Sequence, residues 1–209
     1  MNEIENHPIK YGFIPNQIKT LVVGTFPPKE VYEDNDDFFF YASVRNHFWN
    51  RMENIFQISG LKKTKTKCID VSMKQNKKDK QDFATEKGIG FLDIFTKVSR
   101  VKKSSKDEDL ICEENIIENE ILDDILTNNE SLCRICCTYK LAFDTFKCKL
   151  DKNRISILED IVSANGQKIK YTFKGREIEI YLLFPATRSG QNNNLKDEQY
   201  NKLLFGQID

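Results

Sequence analysis

Thr20-Leu21-Val22-Val23-Gly24, followed at once by Thr25-Phe26-Pro27-Pro28, decides how the rest of the chain is read. A short apolar run rich in β-branched residues and closed by Gly has the pattern of a strand buried in a parallel sheet. The prolines behind it mark a turn. Two further runs share the pattern, Leu132 to Thr138 (Leu-Cys-Arg-Ile-Cys-Cys-Thr) and Ile178 to Pro185.

Between these strands the apolar period changes to that of a helix. In Asn46 to Phe56 the residues Phe48, Met52, Ile55 and Phe56 fall on one face. The same reading predicts helices over Glu113 to Thr127, with Ile116, Ile117, Ile121, Leu122 and Ile125 inward, over Leu141 to Lys149, and over Leu195 to Leu204. Strands alternating with helices predict a sheet covered on both faces. Two segments read as additions to that core. Lys62 to Asp82 is Lys-rich and suits a loop or insertion, and Lys168 to Ile178 alternates polar and apolar residues about Lys174-Gly175, as a β-hairpin does.

A chain of 209 residues, 39% hydrophobic and 31% charged, fits one soluble domain spanning 1–209. No apolar run approaches the roughly 20 residues of a membrane span, and Met1 to Lys10 lacks the order of a secretory signal, so the cytoplasm is the expected compartment. The six cysteines then read as reduced thiols. Net charge is zero, yet Leu61 to Lys106 holds 14 basic and 5 acidic residues, while Asp107 to Glu130 holds 10 acidic and none basic. Either these are two solvated surface segments, or the basic one faces phosphates.

Three stretches carry chemistry. Gly24-Thr25-Phe26-Pro27 sits at the carboxyl end of a buried strand, where ligands gather in open α/β sheets. Phe38-Phe39-Phe40-Tyr41 leads into Arg45-Asn46-His47-Phe48-Trp49. The aromatics read either as a wall for a flat ligand faced by the Asn46 carboxamide, or as core beside an Asn46 that only caps a helix. Pro185-Ala186-Thr187-Arg188-Ser189-Gly190 is a small, polar loop able to approach a phosphate backbone.

In this order the three stretches resemble the uracil-DNA glycosylase superfamily, closest to its mismatch-specific and hypoxanthine-DNA glycosylase branches. Gly88-Ile89-Gly90-Phe91-Leu92-Asp93-Ile94 is similar to a Gly-Ile-x-x-x-Asp segment of that family. The resemblance implies a three-layer α/β/α sandwich with a short, mainly parallel four-stranded sheet, extended here by the hairpin and the Lys-rich insertion. It implies a monomeric, monofunctional DNA glycosylase that needs no metal or cofactor and whose partner is DNA. The target nucleotide is flipped from the stack and its N-glycosidic bond hydrolysed, with uracil, hypoxanthine or a modified pyrimidine as the base. Carried over residue by residue, Asn46 orients water and backbone donors at Thr25 and Phe26 stabilise the departing base. Tyr41 stacks on the base within a pocket that includes Phe40, Gly24 and Pro27. Arg45, Pro185, Ala186, Thr187, Arg188, Ser189, Lys62 and Lys63 meet the DNA.

The sequence departs from that pattern at Phe26, where many members carry a water-orienting Asp or Asn. A phenyl ring cannot hold water, so a non-catalytic reader of DNA or nucleobases is the competing expectation. Arg188 also replaces a small residue. Asp93 reads either as a catalytic group or as a helix cap. Cys133-x-x-Cys136, with Cys137 and Cys148, reads as buried thiols rather than a metal site, because side chains three apart on a strand face opposite ways. Neither His7 nor His47 forms a spaced ligand pair or part of an acyl-transfer triad.

Overall fold

In the computed structural model, which describes residues 3–33, 35, 38–43, 46–61, 71–101, 106–186 and 192–206, the deciding stretch is a strand, β2 (Thr20–Gly24), preceded by a short β1 (Ile4–Asn6). Every β2 residue is buried, and its side chains divide with the period of two. Leu21 and Val23 enter one apolar cluster, and Val22 enters the other. A strand clad on both faces takes parallel neighbours, here β3 (Ile89–Asp93) on one side and β6 (Arg134–Cys137) on the other. Beyond β6 lies β9 (Arg176–Leu182), also parallel.

β9 is the second arm of the expected hairpin. Its first arm, β8 (Gln167–Phe173), pairs antiparallel through a turn at Lys174-Gly175, and both turn residues have positive φ, 49° and 80°. Two consecutive left-handed residues match the right-handed twist of the flanking strands. An edge strand with little apolar alternation, β7 (Ile155–Glu159), extends the sheet and was not foreseen; the order is β3-β2-β6-β9-β8-β7.

One face of the sheet is covered by α4 (Ile121–Asn128) and α5 (Lys140–Lys149) through Leu122, Leu126, Phe143 and Phe146. The other is covered by α2 (Phe48–Phe56), α3 (Val71–Lys87) and α6 (Asn193–Phe205) through Trp49, Met52, Phe83, Tyr200 and Leu203. A four-residue α1 (Lys29–Tyr32) follows the β2 turn. The architecture is thus the expected three-layer α/β/α sandwich.

Two expectations are corrected. The helix read over Glu113 to Thr127 starts as strand and turn: Glu113 to Asn115 end β5 (Leu110–Asn115), and the helix begins only at Ile121. Asn115 ends the strand by accepting the N–H groups of Ile117 and Glu118 on Oδ1, at 3.1 and 3.0 Å, and Glu120 has a left-handed φ of 59°, so no helix could run through. The Lys-rich segment is not all loop. Residues 62–70 fall outside the described residues, but from Val71 the chain is α3, which packs Phe83 and Ala84 into the core and lays two lysines over aromatic rings. Lys80 Nζ lies 5.3 Å from the centre of the Trp49 ring and Lys87 Nζ 4.7 Å from that of Phe56.

β5 belongs to a second, antiparallel sheet of order β1-β4-β5, where β4 (Phe95–Arg100) leaves β3 after a bend at Ile94. This sheet was not expected from the sequence, and it delivers two polar side chains to the carboxyl edge of the main sheet.

Candidate active site

Strand register builds the site. Gly24 pairs with Asp93, and Val23 with Cys137, which in turn pairs with Leu182. One step further, Thr138 N donates to Val23 O at 2.9 Å and Leu183 N to Cys137 O at 2.8 Å. Asp93, Gly24, Thr138 and Leu183 therefore line up along the carboxyl edge, where a parallel sheet exposes its ligand crevice. Gly24 is required there by close approach: a Cβ on it would stand 2.2 Å from Asp93 Oδ1 and 3.4 Å from the Tyr41 hydroxyl.

Tyr41 and Asn46 reach this edge from the loop before α2. Tyr41 has a left-handed φ of 58°, stacks one face on Phe48 (centroids 4.6 Å, planes 18° apart) and places its hydroxyl 3.1 Å from Thr138 Oγ1. The Thr138 proton goes to Val23 O at 3.3 Å, so Tyr41 is the donor. Asn46 Nδ2 donates to the hydroxyl of Tyr139 at 3.0 Å, and its Oδ1 accepts the Phe48 N–H at 2.9 Å. One carboxamide thus both caps the helix start and bonds the Tyr139 hydroxyl, and its oxygen keeps a second lone pair. Tyr41 and Asn46 are thus tied to consecutive residues of one turn. Burial pushes both phenols up, Tyr139 to about 12 and Tyr41 well above its usual range, with the Asp93 charge adding to both.

Two carboxylates flank these groups. Asp93 ends β3 and is followed by another strand, so it caps no helix; its Oδ2 meets His7 Nε2 at 2.9 Å. His7 Nδ1 accepts the Ile9 N–H at 3.0 Å, which leaves the ring proton on Nε2 to be donated to Asp93. Asp107, in the short 3-10 turn Asp107–Asp109 between β4 and β5, accepts the Thr25 hydroxyl at 2.8 Å. Burial raises its carboxyl above the usual range, the Thr25 bond opposes this, and the Asp93 charge raises it further.

Not every residue expected at the site faces it. The Phe26 ring is buried edge-on to His7 (5.3 Å), with the Arg100 guanidinium 5.7 Å from its centre, and Arg100 also bonds Glu5 and the Pro27 carbonyl, both at 2.8 Å. Phe26 and Pro27 thus anchor the turn. Phe40 is 1% exposed and lies near-parallel to the rings of His7 and Phe91, each 5.9 Å away, so it supports the site from behind. Among the described residues no hydrogen bond runs from the backbone N–H of Thr25 or of Phe26. Pro185 is exposed at the rim, and Ala186 O accepts the His47 N–H. Arg45, Thr187, Arg188, Ser189, Lys62 and Lys63 lie outside the described residues.

His7, Asp107, Thr138 and Tyr139 were missed by sequence reading. Thr138-Tyr139 could have been found, since they follow an apolar strand as Thr25 does. A cavity of ≈ 300 Å³ lined by Ile14, Asn16, Ile121 and Asn129 lies at the opposite, amino end of the strands. Cys136 and Cys137 are buried in opposite apolar clusters, and burial raises both thiols, Cys136 to about 12.

The layers and the sheet order give an α/β protein whose fold is similar to that of a solved uracil-DNA-glycosylase-like structure. The solution NMR structure of a candidate uracil DNA glycosylase from Methanosarcina acetivorans matches with a TM-score of 0.54 at 15% identity, over 94% of this chain and 94% of that one. No protein-family model and no curated protein matches the chain.

Proposed function

We propose that the chain is a monofunctional DNA glycosylase, which hydrolyses the N-glycosidic bond of a base flipped out of DNA and leaves an abasic site. The observation that carries this reading is the convergence of Tyr41 and Asn46 on Thr138-Tyr139, beside Gly24 and Asp93, at the carboxyl edge of a sheet with this fold. A flipped base stacks its planar face on the Tyr41 ring, which Phe48 backs from the other side. Asn46 Oδ1 guides water to the sugar carbon, while the N–H groups of Thr25 and Phe26 meet the charge that develops on the leaving base. Uracil, hypoxanthine and modified pyrimidines are the substrate class. Arg45, Lys62, Lys63 and the loop Pro185 to Ser189 are the proposed phosphate contacts, and a monomer suffices for the reaction.

One observation favours the second reading, a non-catalytic DNA or nucleobase reader: the Phe26 ring is packed into the interior, so position 26 offers no side chain to water. Oligonucleotides carrying uracil, hypoxanthine or a bulky modified cytosine distinguish the two. Alkali-labile breaks at the marked base are expected; binding without breaks across the panel would establish the reader instead.

A further inference from the structure

Resting on the glycosidic-hydrolysis reading, we infer that Asp107 is the carboxylate that takes the proton of the attacking water. Beside a group that orients the water, hydrolysis at a sugar carbon is accelerated by one that accepts the water's proton. Several groups at the strand ends do not fit that role. Asn46 is neutral. Tyr41 and Tyr139 are phenols held protonated by burial. Asp93 gives one oxygen to His7 and packs the other against Gly24. Glu5 is held by Arg100 and by the Tyr32 hydroxyl at 2.6 Å.

Asp93 likewise leaves its Oδ1 without a hydrogen bond among the described residues, but it is buried, and Asp107 differs from it in exposure. Asp107 is only half-buried, Thr25 fixes its Oδ1, and among the described residues its Oδ2 takes no hydrogen bond. The groups that face it are Thr25 from the turn after β2, Asp93 from β3, Arg100 from β4 and Tyr139 from the turn after β6. Asn46 bonds the Tyr139 hydroxyl and the Asp107 charge acts on that same phenol, so both groups bear on Tyr139. In the step itself the water oxygen bonds the anomeric carbon as the carbon–nitrogen electron pair leaves with the base. The water proton passes to Asp107 and on to solvent, and solvent protonates the released base. The anionic carboxylate also offsets the positive charge that builds on the sugar.

The test is single-turnover excision by the full chain, wild type against Asp107→Asn and Asp107→Glu, from acid to neutral pH. Binding to an abasic-site duplex and thermal unfolding are measured alongside. Asp107→Asn keeps an oxygen for the Thr25 hydroxyl, so folding and binding are expected to hold while excision falls about 100-fold or more. Wild-type activity is expected to rise with pH through the raised titration of this carboxyl, and the Asn variant to lose that acid limb, which Asp107→Glu regains in part. An Asn variant with the wild-type rate and pH profile would overturn the assignment and leave the glycosylase reading standing. A wild type inactive on the whole base panel would overturn both.

Discussion

Gly24 shows how one missing carbon shapes the site. Because Asp93 Oδ1 occupies the place a Cβ would take, Gly24→Ala must displace the carboxylate and loosen its bond to His7. We expect excision to drop at least about tenfold, with a stability loss of roughly 1–3 kcal/mol from overpacking, read by single-turnover assay and by denaturant melts. Full activity in this variant would show that Asp93 is not held where the site needs it. Asn46 and Tyr41 were legible in the sequence because an aromatic run ending in polar residues is costly to bury without a ligand or partners. His7 and Asp107 were not. Each lies far along the chain from its partner, 86 and 82 residues apart, and no local pattern announces such a pair.

At the scale of elements, β2, β6 and β9 were legible because a strand clad on both faces shows an unbroken apolar run. The hairpin was legible through its Lys174-Gly175 turn. The second sheet was hidden because β5 is mostly exposed and its acidic residues mimic the polar face of a helix. α3 was hidden because few apolar residues, Phe83 and Ala84 among them, mark its inward face amid many lysines. The hairpin gives a direct check: Gly175, at φ 80°, sits where a β-branched residue is strained. Gly175→Val is expected to lower stability by about 1–2 kcal/mol with excision unchanged at temperatures where the variant is folded. An undiminished melting temperature would argue against this turn.

Across the whole molecule the net charge is zero, so on the proposed function grip on DNA would come from local basic segments rather than from an overall field. Lys62, Lys63, Lys65 and Lys67 open the most basic stretch, next in sequence to α2, which follows the site loop. Replacing all four by Gln is expected to flatten the salt dependence of DNA binding, by up to about 0.9 in the log–log slope for each phosphate that is no longer neutralised. An unchanged slope would mark the stretch as solvated surface. The most direct measurement of the central claim is excision of the preferred base by Asn46→Ala against wild type under single-turnover conditions, with unfolding free energy measured on the same samples. Loss of the Oδ1 bond to Phe48 N is expected to cost about 1 kcal/mol of stability, while the rate falls by about two orders of magnitude or more. A variant that excises at the wild-type rate would contradict the account, because the carboxamide would then be a helix cap and nothing else.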